Sequence, residues 1–485
     1  MPPTQLKASH DLSIQLLTPH IPLHPGSVIL GHIVRKSHIV TPAATVRVRL
    51  LGRAKAKLVI ERGNNNKSYY RSRFNFWPES AITHVVHEGP VHVAPGGDAQ
   101  SWPFALELPT HTDAASVNAC GGDKAREACF LRQPGSAGAA AGIPSQPLPA
   151  TFFFDNSSFS KHWHGFVEYW IQAELVENGR SKIISASLPL KVFSPLTPAP
   201  PISDFGLLTR NMAGCVSSQR LMPGMEEADL SFKQKTQKFF GSSKVPTFHY
   251  TLHVQFPTVI QLGNESTVPF LLHLTPNREK TTDVIEDVPQ TVTVKYVDLE
   301  LQSTTGVICP GTLDSHEASK TRKLCLGKIS EYLKPVGGPL VLPCSGKGDP
   351  VDVGAVLGLH VDAFGRIVNT ARHGPGGSTT NLTVLPTFVT YCIKTEHVLQ
   401  WEVQILVAGE TWKCEGNQKV LLLAPCEDMA SGRAEASGSA SRSAAPPPAD
   451  AEDVPAYDGP SGAAPAYERI PGDGSAEPST VGGKS

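Results

Sequence analysis

At 485 residues the chain exceeds one ordinary domain and accommodates two of about 180 residues with linkers. Its 42 Gly and 42 Pro punctuate short strands far better than they suit helices, which favours an all-β class. A net charge of −1 and the lack of an apolar run of roughly 18 residues argue against a membrane-spanning helix and a concentrated nucleic-acid face.

From the start, Met1-Pro2-Pro3-Thr4-Gln5 opens no secretory signal, so an intracellular chain is expected. The first predicted strand alternates over Leu12-Ser13-Ile14-Gln15-Leu16, and a Pro25-Gly26 turn leads into a second over Val28 to Val34. Val46 to Gly52 alternates apolar with basic residues, burying one face and turning Arg47 and Arg49 to water. Further strands follow at Tyr69 to Trp77, His84 to Val93 and Trp102 to Pro109, a spacing typical of sandwiches. Thr110 to Pro147 is rich in Gly and Ala and reads as a mobile surface insertion, with a helical turn over Asp123 to Leu131. Pro195 to Pro201 reads as an interdomain linker, and Met225 to Phe240 as an amphipathic linker helix. Strands resume at Thr247 to Val254, Ser266 to Leu274, Thr291 to Leu301, Leu357 to Val361 and Asn381 to Leu385.

One unit occurs twice. Leu148-Pro149, Phe152 to Phe154, the strand Phe166 to Ala173, an Asn178-Gly179 turn and Ile184 to Phe193 form the first copy. Leu385-Pro386, Phe388, the strand Leu399 to Val407, a Gly409 turn and Lys419 to Leu423 form the second, with Tyr169 aligned on Trp401. The duplication implies two similar antiparallel β-sandwich domains, 8–195 and 245–426, joined by a linker over 196–244. Residues 427–485 carry ten acidic and four basic residues and few large apolar ones, so a disordered acidic tail is expected and the rest of the chain is mildly basic.

Chemistry-bearing motifs are sparse. No Walker loop, GxSxG elbow or HExxH pair occurs, and the nine cysteines lack CxxC spacing, so neither catalysis nor a zinc site nor a disulfide framework is expected. His162-Trp163-His164 places two imidazoles on one side of a strand, but no third ligand follows at a recognisable spacing; the pair reads as ordinary strand-edge histidines, with no metal and no cofactor. In the tail, Pro455-Ala456-Tyr457 and Pro465-Ala466-Tyr467 repeat a Pro-x-Tyr unit that suits WW domains, since proline presets the polyproline geometry and tyrosine anchors it. Val454 and Ala464 stand where the preferred Pro-Pro-x-Tyr core has its first proline. Arg47, Arg49, Arg53, Lys55 and Lys57 form a basic strand face that could take acidic cargo tails or lipid head groups, although such a face is commonly just the solvated side.

In their order, these segments from Leu12 to Phe193, with a looser match over Thr247 to Pro425, resemble the arrestin family, in particular the fungal α-arrestins or arrestin-related trafficking adaptors. The resemblance implies two tandem immunoglobulin-like β-sandwiches without enzymatic activity. It further implies a cytoplasmic adaptor, peripheral to the plasma membrane or endosomes. Such an adaptor links transporter or receptor tails to the WW domains of a HECT-type ubiquitin ligase, leading to ubiquitination and endocytosis. Partners would thus be that ligase, membrane cargo and an anionic lipid surface, not nucleic acid. A signalling arrestin of the pH-sensing type, binding a receptor without WW-mediated ligase recruitment, is the alternative, followed by an enzyme of unrecognised chemistry.

Overall fold

Alternation of apolar and polar side chains with period two dominates the chain, and antiparallel strands follow from it. The structure, a computed structural model, describes residues 3–61, 66–132, 142–157, 161–179, 183–229, 245–330, 338–344, 348–369 and 378–428, the last range without the side chains of 378–382. The N-terminal lobe contains β1 (Ser13–Leu16), β2 (Val28–Arg35), β3 (Ile39–Glu61), β4 (Lys67–Asn75), β5 (Thr83–Val93), β6 (Gln100–Glu107), α1 (Ala114–Ala119), α2 (Gly122–Glu127), β7 (Phe152–Ser157), β8 (Lys161–Glu177) and β9 (Ile183–Leu190). The order β1-β2-β6 forms one antiparallel sheet. The facing sheet is built on the long pair β3 and β8, with β4 and β5 beside β3 and β7 and β9 beside β8. Pro42 has no N–H to give the ladder, and the register of β3 with β5 shifts between Thr41 and Ala44.

The C-terminal lobe follows as β10 (Leu208–Ser217), β11 (Thr247–Phe256), β12 (Val259–Gln261), β13 (Leu271–Pro276), β14 (Val292–Cys309), β15 (His316–Ile329), β16 (Val341–Leu342), β17 (Val351–Asp352), α3 (Val353–Leu357), β18 (Leu359–Val361), β19 (Arg366–Asn369), β20 (Ser378–Thr383), β21 (Phe388–Val389), β22 (Ile393–Val407) and β23 (Glu410–Leu423). One sheet runs β10-β11-β13-β17, and its partner runs β12-β23-β22-β14-β15 with the short β16 and β21 attached. A small sheet, β18-β19-β20, completes the lobe. The molecule is therefore all-β, with sandwiches of sheets that are antiparallel except where β12 joins β23 in parallel. Among the described residues no helix is long and apolar enough to cross a membrane.

The duplicated unit has one pairing scheme in both lobes. Short β7 pairs long β8, which pairs β9; short β21 pairs long β22, which pairs β23. Each long strand also lies against another long strand, β8 on β3 and β22 on β14. Tyr169 and Trp401 are each 1% exposed, and each sits over a glycine directly opposite it on a neighbouring strand: Gly52 on β3 and Gly416 on β23. The absence of a Cβ there leaves room for the ring. The Tyr169 hydroxyl donates to the Pro149 carbonyl at 2.7 Å, which accounts for the Leu-Pro step of the first copy. Trp401 Nε1 is buried without a hydrogen-bond partner, so the second copy keeps the ring and loses the polar contact.

Two hydrophobic clusters fill the lobes, and the first recruits Val307, Ile308, Cys309, Tyr391, Cys392 and Ile393 from the C-terminal lobe. The reason is one of length. At roughly 3.3 Å per residue, 23-residue β3 extends far beyond what the eight-residue strands β2 and β6 can cover, and the ends of β14 and β22 cap the remainder. Gly165 on β8 admits this contact, since a Cβ there would lie 2.8 Å from Val307 Cγ1. Ser72 Oγ donates to the Ile308 carbonyl at 2.9 Å.

Several segments differ from their sequence reading. Thr110 to Pro147, expected as a surface insertion, is in its described part wedged between the lobes: Val117, Ala125, Ala128, Cys129 and Ile143 are buried, and Phe130 N–H donates to the Tyr391 carbonyl at 3.0 Å. The helical turn expected over Asp123 to Leu131 is α2, preceded by α1, whose N-cap Asp113 accepts from the N–H groups of Ala115 and Ser116. Of the helix expected over Met225 to Phe240, residues 225–229 form turn and coil, and the rest lies outside the described residues. β10 and β15 have no counterpart in the sequence reading.

Candidate interaction surface

Strand period two sends Arg47, Arg49, Arg53, Lys55 and Lys57 of β3 to the side of their sheet opposite Val46, Val48, Leu50, Ala54, Ala56 and Leu58, all of which are buried. Three of the five basic residues meet carboxylates on β8. Glu174 lies opposite Arg47 and takes both Arg47 Nε at 2.8 Å and Arg49 Nη2 at 2.5 Å. Burial alone would raise the Glu174 carboxyl, but hydrogen bonds from Arg49 and Arg47 outweigh it and hold it below the usual carboxylate range. Glu168 lies opposite Arg53 and accepts its Nε at 2.6 Å, and its second oxygen accepts the Thr4 N–H at 2.5 Å. The Arg53 guanidinium also caps the Trp170 ring at 4.5 Å.

Beyond Glu168 four cations come together. Lys55 and Lys57 face Arg73 and Arg71 across the β3–β4 ladder. Lys55 is buried, its ammonium 5.9 Å from the Phe166 centroid. Burial, then the charges of Arg53 and Arg73, pull its pKa down to about 8 against the opposing charge of Glu168. Lys57 and Arg71 share the Tyr69 ring, each 5.5 Å from its centroid. Arg73 reaches Asn75 Oδ1 at 3.0 Å and Glu79 at 3.6 Å. The surface therefore divides: Arg47, Arg49 and Arg53 are neutralised within the sheet and Lys55 is buried, whereas Lys57 and Arg71 form a cationic strip on the Tyr69 ring. Such a strip suits carboxylate or phosphate groups on a flexible partner. The sequence reading placed Arg71 and Arg73 on a strand without joining them to this face, because only the β3–β4 register brings them alongside Lys57 and Lys55.

The strip ends at the hairpin of β7 and β8. Here His164 lies opposite Lys57, and the imidazoles of His162 and His164 share the outer face with Asp155 of β7. The third donor for the histidine pair, invisible in local spacing, comes from the adjoining strand. The other sequence-predicted site residues, Pro455, Tyr457, Pro465 and Tyr467, lie outside the described residues.

No protein-family model matches the sequence, and no curated protein matches it significantly.

Proposed function

We propose that the chain is a non-catalytic, arrestin-like adaptor of the α-arrestin type. Acidic cytoplasmic tails of membrane transporters or receptors, with anionic lipid beside them, meet the strip of Lys57 and Arg71. The tail units Pro455-Ala456-Tyr457 and Pro465-Ala466-Tyr467 recruit WW domains of a HECT-type ubiquitin ligase, so that bound cargo is ubiquitinated and endocytosed. The observation that carries this reading is the tandem sandwich scheme, with a buried aromatic at the same place on β8 and β22, together with the cationic strip on the first sheet.

Val454 and Ala464, in place of the first proline of the WW ligand core, favour a second reading: a signalling scaffold that holds a receptor without recruiting a ligase. Capture of the full chain on immobilised WW domains separates the two. Ligase recruitment predicts that the Tyr457→Ala, Tyr467→Ala double variant is lost from the resin. Equal capture of wild type and variant would sink that branch and leave the scaffold.

A further inference from the structure

Three metal-competent donors converge toward the connecting end of the β7–β8 hairpin. His162 and His164 are two apart on β8, so both rings project from the same face of the sheet. Asp155 is the direct antiparallel partner of His164, and Ser157 is that of His162, which puts the Asp155 carboxylate on the same face and diagonal to His162. One donor atom from each residue lies within 4.8 Å of the others, and His162 Nε2 is 3.6 Å from Asp155 Oδ1. The two rings stand edge to face with centroids 6.0 Å apart, and His164 is steadied by stacking on Phe166. Among the described residues, no lysine or arginine forms an ion pair with Asp155.

We propose that Asp155, His162 and His164 bind one zinc ion. Tetrahedral zinc with bonds of about 2.0–2.2 Å requires donors roughly 3.3 Å apart, so no separation in the cluster need close by more than about 1.5 Å. The side chains of His162 and Asp155, 41% and 49% exposed, have open space in which to turn toward His164. Two imidazoles and one carboxylate match zinc, and water takes the fourth position on the exposed side. Calcium and magnesium require mostly oxygen ligands, of which the cluster has a single carboxylate. The ion would tie β7 to β8 and add positive charge beside Lys57.

The test is calorimetric titration of metal-free full-length protein with zinc chloride, in parallel with cobalt chloride monitored by visible absorption. The wild type is expected to bind one ion per chain and to give the intense visible bands of four-coordinate cobalt. His162→Gln, His164→Gln and Asp155→Asn should each weaken zinc by more than the roughly 10–100-fold that loss of a supporting outer contact costs. A His253→Gln, His273→Gln control removes a second, half-buried pair, with ring centroids 5.5 Å apart on β11 and β13, and should leave binding intact. Circular dichroism confirms that each surface variant keeps its strands. Absence of binding by the wild type, unchanged affinity in a combined His162→Gln, His164→Gln variant, or loss of binding only in the control would each overturn the assignment.

Discussion

Gly416→Ala offers a direct test of the aromatic seat that the two lobes share. In the interior of a strand, alanine is ordinarily the better residue, by about 0.5–1 kcal/mol, because glycine loses more backbone freedom on folding. At this position a Cβ would lie 2.7 Å from Trp401 Cε2 and closer still to Cζ2, and Trp401 is fully enclosed by β14, β23, Phe256 and Phe270. The ring cannot retreat without displacing those neighbours, so overpacking of about 1–3 kcal/mol should exceed the backbone gain. The net expectation is a loss of about 1–2 kcal/mol, or a fall of roughly 2–8 °C in the thermal midpoint followed by strand circular dichroism. Trp401→Phe removes the benzo ring that the new methyl would strike. In that background Gly416→Ala should become neutral or stabilising, giving a coupling energy of about 1–2 kcal/mol. Stabilisation by Gly416→Ala in the wild-type background would refute the seat, as would strict additivity of the two changes.

Two further outcomes follow from buried polar groups. Tyr391 is fully buried, and its hydroxyl shares a 2.6 Å hydrogen bond with Thr112 Oγ1, so Tyr391→Phe and Thr112→Val should each lower urea-unfolding stability by about 1–2 kcal/mol. Together they should cost clearly less than the sum, and purely additive losses would remove this bond as a tie between the lobes. His397, 1% exposed on β22, has ring nitrogens without a well-formed hydrogen bond; burial pulls its pKa down to about 4, against a smaller opposing contribution from the Leu385 backbone. Between about pH 6.5 and 4 the unfolded chain therefore binds a proton that the folded chain refuses, and stability falls as pH drops through that window. By pH 4.5 this amounts to about 2 kcal/mol, so His397→Leu should lose less stability than wild type between pH 7 and 4.5 in urea titrations; parallel losses would contradict the burial argument.

Strands with one buried face were legible in the sequence, because burial imposes alternation. β6 and β11 show this: Trp102, Phe104 and Leu106 are buried in the first, and Phe248, Tyr250, Leu252, Val254 and Phe256 in the second. β10 and β15 escaped for the converse reason. Most of Leu208 to Met212 and of Glu317 to Lys323 faces water, and the strand character of both segments comes from pairing with β11 and β14, which no local pattern encodes. Arg47 and Arg49 were recognisable as one face of a strand. Their neutralisation was not, since Glu174 is more than 120 residues away in sequence. Asp155 was missed for a related reason: it reaches the two histidines by cross-strand pairing rather than by a fixed sequence spacing. The insertion was misread because its Gly and Ala content suits a loop, while Val117, Ala125, Cys129 and Ile143 supply just enough apolar surface to fill the cleft between the lobes.

That cleft constrains how an adaptor built this way can work. Separating the lobes would withdraw Val307, Ile308, Cys309, Tyr391, Cys392 and Ile393 from the first core and expose the side of β8 at Gly165. At about 1.5–3 kcal/mol for each large apolar side chain, the loss is on the order of 10 kcal/mol, comparable with the whole stability of a typical domain. Tyr391 alone packs against Phe74 and Phe76, with ring centroids 5.1 and 6.4 Å apart, and is held by Thr112. Opening the lobes would thus cost nearly as much as unfolding one of them, and no flexible acidic tail binding a few surface cations supplies that energy. On the adaptor reading proposed above, cargo recognition is a matter of surface complementarity rather than of opening the lobes. The cationic strip at Lys57 and Arg71 is already in place before a partner arrives.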